Sequence, residues 1–211
     1  MDLSPLQGEF TVGINTLLEW EDLPFTPSVM AAHEAELHAL REKVWEFTGP
    51  VWWSYMMWYS YVPANPHLFP GPNWHWIQDT PQINWRSDPV KWRDRPELLG
   101  ITDDFGNIAW SSTAVIAPAI PALIWMGFKE IYLVGVDNTQ QGYAHEPYKL
   151  RPEGLSDRCN REFANVMEEV DKYGILIRNC SPHSTAPIPY VSLEQAKKAN
   201  VVEIDGEMVF A

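Results

Sequence analysis

Several short apolar runs of the chain are each followed by a polar residue that suits ligand binding. Asn15 follows the run 9–14 and His33 follows the run 28–32. Asp137 and Asn138 follow the run 128–136, and Asn179 ends the run 175–179. Such runs are typical of strands in a parallel sheet, whose ligands bind beyond the carboxyl ends of the strands. The sequence therefore predicts one pocket at this edge, although a polar residue after a strand also serves as an ordinary turn residue.

A hydroxyl-rich segment precedes a long apolar helix. Ser111, Ser112 and Thr113 stand before a helical pattern that ends at Gly127. Hydroxyls and free amide groups at a helix start suit a phosphate group. The same three residues also suit a plain helix cap, so both roles stay open.

The segment that follows Asp137 supplies a base and a phenol. We expect Tyr143 and His145 to lie over the same sheet edge, since their segment leaves the strand that ends there. An imidazole titrates near neutrality, so His145 suits a general base, and a surface histidine without a role is the alternative. We predict no metal site, because His33 and His38 are five residues apart and do not share a helical face.

The pattern of elements predicts the fold class. Helical patterns at 34–45, 111–126 and 157–173 alternate with apolar strands at 128–137 and 175–179. A short helix (192–200) and a hairpin or edge strand (201–210) follow. This alternation predicts an α/β, Rossmann-like parallel sheet flanked by helices. The length of 211 residues fits a single domain, 1–211.

Residues 46–108 form a Trp- and Pro-rich stretch. Seven of the 11 tryptophans lie there, and beyond one strand-like run at 51–62 the stretch shows little periodicity. A long irregular stretch within a domain is typical of a lid or binding loop, so we expect it to cover the pocket. A small secondary core and an oligomer interface are the other uses of such aromatic residues.

Charge and composition exclude some partners. The net charge of −13 repels phosphate backbones, so nucleic acid is a poor partner. The apolar run 113–128 contains two prolines and is too short to span a bilayer. Two cysteines form no disulfide framework, and the first residues show no secretory pattern, so we expect a cytoplasmic location.

The segment Met126-Gly-Phe-Lys-Glu-Ile-Tyr-Leu-Val-Gly-Val-Asp137 resembles the central motif of the bacterial lipooligosaccharide sialyltransferases, glycosyltransferase family 42. It is similar to the related 6-hydroxymethylpterin diphosphokinases as well. The later phrase Asn179-Cys-Ser-Pro182 and the early Leu6-to-Asn15 strand also resemble segments of these families, whereas 46–108 does not.

The resemblance implies a transferase that uses a nucleotide-activated donor, a cytidine monophosphate (CMP) sugar, with a glycan or other acceptor and no bound cofactor. It implies nucleotide contacts at Asn15, His33, Ser111 to Thr113 and Asp137. It further implies that Tyr143 holds the donor phosphate and that His145 is the base. The family's glycine-rich nucleotide loop would stand just ahead of Met1, and Thr139 stands where the family has a second phosphate-binding tyrosine.

Two other functions remain open. One is pyrophosphoryl transfer to a pterin-like alcohol, which needs Mg²⁺ on carboxylates. The other is a nucleotide-binding or structural relic that has lost catalysis with the glycine-rich loop.

Overall fold

A four-stranded parallel sheet forms the first part of the structure. The computed structural model describes residues 2–32, 47–54, 74–77, 115–139, 155–199, 201–204 and 207–210. The strands β1 (Val12–Ile14), β2 (Val29–Ala32), β3 (Val51–Ser54) and β4 (Trp74–Ile77) pair in chain order. All three pairings are parallel, as the apolar runs predict.

The sequence analysis did not predict strand β4. Residues 74–77 lie in the stretch that we expected to be irregular, yet they pair with β3 over four residues. The run Trp-His-Trp-Ile is too short, and too closely flanked by Pro and Asn, for its periodicity to stand out. The residues around it, 55–73 and 78–114, lie outside the described part, so the lid prediction stays a prediction.

A second parallel pair carries the central motif. β5 (Glu130–Leu133) pairs with β6 (Leu176–Asn179). The predicted strand 128–137 is longer than the observed one, because the chain turns at Gly135, whose φ is +75°. Such a φ is costly for residues with a Cβ and needs no strain in glycine. The last four residues of the predicted strand therefore form a loop beyond the sheet.

One helix packs against both parallel sheets. It begins with a π-helical turn (Val115–Ala119) and continues as α1 (Ile120–Trp125), with Pro121 in its first α-helical turn. Proline lacks the N–H that would continue the helical ladder, and the change from π-helical to α-helical turns occurs just before it. Ile116 and Ile120 pack in the core of the β5–β6 pair, whereas Ala119 and Ala122 pack against the four-stranded sheet.

The long helix α2 (Leu155–Lys172) connects β5 and β6 and completes the core. Phe163, Val166 and Val170 are fully buried, at spacings that place them on one helical face. The helix ends in a Schellman motif: Ile175 N–H donates to the Val170 carbonyl (3.2 Å), and Gly174 has φ +62°. The sequence predicts this stop at Gly174.

Helix α1 ends in the same way. Phe128 N–H donates to the Leu123 carbonyl (3.1 Å), and Gly127 has φ +93°. Phe128 then contacts Phe10, with ring centroids 5.0 Å apart. The segments that precede β1 and β5 are therefore in contact.

The C-terminal part consists of α3 (Leu193–Ala199) and a hairpin of β7 (Val201–Ile204) and β8 (Glu207–Phe210). Ser192 and Gln195 form a capping box, in which each side chain accepts a hydrogen bond from the other's N–H at 3.1 Å. Lys197 donates to the Pro5 carbonyl (2.9 Å), so α3 is fixed to the start of the chain. Both the helix and the hairpin are predicted from the sequence.

No helix in the described ranges is long and apolar enough to cross a membrane.

Candidate functional site

The loop after β5 presents one acidic side chain on an ordered backbone. Gly135 (φ +75°) and Asn138 (φ +52°) are in the left-handed region, and Asp137 between them is exposed. Asparagine adopts this conformation more readily than most residues, at a cost that other contacts offset. The resulting backbone path directs the loop away from the sheet and leaves the Asp137 carboxylate open to solvent.

A buried asparagine at the end of β6 holds this loop. The Asn179 side chain is 1% exposed and donates to the Val136 carbonyl (2.9 Å) and to Ser184 Oγ (2.8 Å). Its Oδ1 accepts from the Ser181 N–H (3.0 Å). The side-chain amide therefore donates two hydrogen bonds and accepts one, all within the fold. Asn179 thus positions the loop rather than a ligand.

The segment after β6 adds further hydrogen bonds to the same loop. Ser181 Oγ accepts from the Gly135 N–H (2.9 Å), and Ser184 Oγ donates to the Val136 carbonyl (2.7 Å). Thr185 N–H donates to the Asp137 carbonyl (2.8 Å). These hydrogen bonds join the loop after β5 to the segment after β6.

Helix α2 is tied to this edge through its first turns. Asn138 Nδ2 donates to Asn160 Oδ1 (3.1 Å), and Asn160 Nδ2 donates to Thr185 Oγ1 (3.3 Å). Thr185 Oγ1 in turn donates to the Asn138 carbonyl (2.8 Å). Because α2 is the crossover from β5 to β6, its first turns lie at the carboxyl ends of these strands.

The end of β1 provides a second unusual asparagine. Asn15 has φ +48° and begins a 3-10 turn (Asn15–Glu19) directly after the strand. Asn15 and Asn138 are the only non-glycine residues with positive φ in the described part of the chain. Backbone conformations of this kind concentrate at functional sites.

Gly13 in β1 allows close packing around the turn that begins at Asn15. A Cβ at Gly13 would collide with Met30 Sδ and would lie 3.0 Å from Pro27 Cγ and 3.1 Å from Leu17 Cδ2. The glycine therefore permits the turn after Ile14 to fold back on β2.

Comparison with known proteins gives no match. Neither a family model, nor a curated protein, nor a solved structure is similar to this chain. The assignment of roles must therefore come from the residues themselves.

The structure describes two of the sequence-predicted site residues. Asn15 directly follows β1, and Asp137 lies in the loop after β5, four residues beyond Leu133. Their convergence on one pocket stays a prediction. The remaining predicted residues lie outside the described residues: His33, Ser111, Ser112, Thr113, Tyr143 and His145.

Sequence reasoning identified Asn138 and Asn179 as polar residues at strand ends, but it missed the hydroxyl residues that hold the loop. Ser184 and Thr185 belong to no spacing motif. A run of small hydroxyl and amide side chains directly after a buried strand is the signal that indicates such a network.

Other chemistry in the described part is limited. Cys159 and Cys180 are buried free thiols, and burial raises the pKa of the Cys180 thiol, which disfavours the nucleophilic thiolate. Among the described residues, no group of three His, Cys, Asp or Glu side chains is placed to hold a metal ion. A shallow groove of about 330 Å³ lies between 6–9 and 23–26, before β1 and β2, and thus at the amino edge of the four-stranded sheet.

Proposed function

We propose that this chain binds a nucleotide-activated sugar at the carboxyl edge of its parallel strands and transfers the glycosyl group to an acceptor. One observation carries the proposal: the strands β1 and β5 are each followed by an asparagine with positive φ, and the second adjoins the exposed Asp137. Polar side chains on ordered loops beyond parallel strands are the usual means by which α/β folds bind nucleotides.

The proposal includes a single Rossmann-like sheet in which β1 lies beside β5. Phe10 stands two residues before β1, and Phe128 stands two residues before β5, and their rings are in contact. The helix 115–125 packs on both sheets, which favours two halves of one sheet over two separate ones. In this order, 4-3-2-1-5-6, the strand sequence reverses between β1 and β5, and ligands bind at such a reversal.

Each described residue has a role that its chemistry suits. The carboxylate of Asp137 accepts hydrogen bonds from the ribose hydroxyls or from an exocyclic amine of the base. Asn15 offers an amide that both donates and accepts, and suits the Watson–Crick edge of a cytosine. These hydrogen bonds go to neutral groups of the nucleotide. The net charge of −13 opposes the phosphate of the donor, and salt screens that repulsion.

The reaction follows from the family resemblance. His145 accepts the proton of the acceptor hydroxyl as its oxygen attacks the anomeric carbon and the nucleotide leaves with the bonding electron pair. Tyr143, His33 and the 111–113 hydroxyls complete the contacts to the donor. The reaction requires no bound cofactor.

Calorimetric titration with cytidine, adenosine and guanosine monophosphates tests the proposal. We expect the cytidine nucleotide to bind, and Asp137→Asn to weaken its binding by about 10- to 100-fold, since a hydrogen bond to a charged group contributes about 1.5–3 kcal/mol. Glu168→Gln, which removes an exposed carboxylate near the far end of α2, is the matched control and should leave binding unchanged.

Two other results would redirect the assignment. Preference for an adenine nucleotide that depends on Mg²⁺ would favour pyrophosphoryl transfer. Absence of binding by any nucleotide, with Asp137→Asn and Tyr143→Phe both silent, would indicate the structural relic.

A further inference from the structure

A buried hydroxyl without a hydrogen-bond partner lies at the start of α2. Ser156 is 4% exposed, and its Oγ is the one buried side-chain polar atom in the described part of the chain that has no partner. Burying a hydroxyl without a partner costs free energy, and native structures retain few such groups. A partner for this hydroxyl that is absent from the free chain, such as a bound ligand, would remove this cost.

The position of Ser156 places it at the edge that carries the candidate site. It is the second residue of the 18-residue helix α2, whose first-turn N–H groups have no partners within the helix. Ser156 precedes Asn160 by four residues, so the two side chains share one face of the helix. Asn160 contacts Asn138 in the loop of Asp137, which shows that this face is directed toward the carboxyl edge.

These two features together are the elements of an oxyanion site. The first turn of a helix offers several N–H donors and the positive end of the helix dipole. A serine hydroxyl adds one further donor in the same place. We infer that Ser156 Oγ and the first-turn amides of α2 bind the phosphate group of the nucleotide donor.

The inference rests on the proposed function, since it assigns a phosphate site to the donor bound at this edge. It differs from the sequence reading, which places the phosphate on Tyr143 and on the 111–113 helix start. Phosphate is the shared chemistry, whether it belongs to a nucleotide or to inorganic phosphate. The probes below separate these sources.

One charged residue opposes an anion at this position and gives a second test. Asp157 is the acidic residue of the first turn of α2 and is exposed. Its carboxylate stabilises the free helix end but repels a phosphate there. Replacing it with asparagine should therefore strengthen phosphate binding.

The experiment titrates the full chain with CMP, cytidine and inorganic phosphate by calorimetry. We expect Ser156→Ala to weaken CMP binding about 10- to 100-fold and to leave cytidine binding unchanged, because only CMP carries the charged acceptor. We expect Asp157→Asn to strengthen CMP binding about two- to fivefold. Ser192→Ala, which removes a capping hydroxyl at the start of α3, is the control and should leave CMP binding unchanged.

The outcomes distinguish the two levels of the proposal. If Ser156→Ala and Asp157→Asn bind CMP as the unchanged chain does, while Asp137→Asn binds it weakly, the phosphate site is wrong and the proposed function stands. If inorganic phosphate binds in a Ser156-dependent way but neither CMP nor cytidine does, the oxyanion site stands and the nucleotide donor is wrong. If none of the three probes binds, both are overturned. Ser156→Ala removes a hydroxyl without a partner, so the variant should fold.

Discussion

Removal of the Asn179 side chain should both destabilise the fold and loosen the loop that carries Asp137. Asn179→Ala deletes two donated hydrogen bonds, to the Val136 carbonyl and to Ser184 Oγ, and one accepted from the Ser181 N–H. Each neutral hydrogen bond contributes about 0.5–1.5 kcal/mol net, and a buried N–H without a partner costs about 1–3 kcal/mol. We therefore expect the free energy of unfolding to fall by about 3 kcal/mol.

Urea denaturation followed by circular dichroism measures this loss directly. The control is Asn165→Ala, which removes a half-buried asparagine from the middle of α2. Alanine has the higher helix propensity, so this variant should be as stable as the unchanged chain or slightly more stable. The comparison separates loss of the network from loss of an amide in general.

The Asn179→Ala variant also tests whether this hydrogen-bond network positions the candidate site. The contacts of Asn179 hold the backbone just before Asp137, so Asn179→Ala should also weaken nucleotide binding although the side chain touches no ligand. A loss of stability below about 1 kcal/mol would refute the assignment of the network, since that is the value expected for a single exposed hydrogen bond.

Three further predictions concern single sites. Gly13→Ala should lower the unfolding free energy by about 1–3 kcal/mol in urea denaturation, because its Cβ has no space, and an unchanged midpoint would contradict this packing. Ser156→Ala should raise the unfolding free energy by about 1 kcal/mol, whereas Ser181→Ala, which removes a partnered buried hydroxyl, should lower it; equal effects would refute the distinction. Burial and the hydrogen bond to Glu130 raise the pKa of Tyr132 to about 12. The protonated phenol should therefore contribute its full share of the unfolding free energy below pH 10, and this share should be lost as the pH rises toward 12. Ultraviolet titration should show this late phenol, and Glu130→Gln should move its pKa back toward the ordinary value.

The parts of the fold that the sequence predicts are those governed by local physics. Gly127 and Gly174 end helices because each adopts a positive φ that closes a Schellman motif, and both positions stand out as the glycine after an apolar helical pattern. The continuous apolar run at 128–137 predicts a buried parallel strand, and β5 and β6 pair in parallel. Such features depend on a few neighbouring residues.

The features that sequence reasoning misplaced depend on distant contacts. The apolar character of Val134 and Val136 favours strand, yet the chain leaves the sheet there because Asn179, Ser181 and Ser184 bind the loop backbone from more than 40 positions away. The partnerless hydroxyl of Ser156 likewise has no signature in the sequence, since it depends on what surrounds the side chain.

Backbone amide shifts in nuclear magnetic resonance spectra, followed during titration with CMP, would locate the donor site on the chain. We expect the shifts to concentrate at Asn15, in the loop 134–138 and at Ser156, all at the carboxyl edge of the parallel strands. Residues beside Phe10 and Phe128, at the amino edge, should not shift. Shifts confined to the groove between 6–9 and 23–26, with none in the loop 134–138, would contradict the claim that the donor binds at the carboxyl edge.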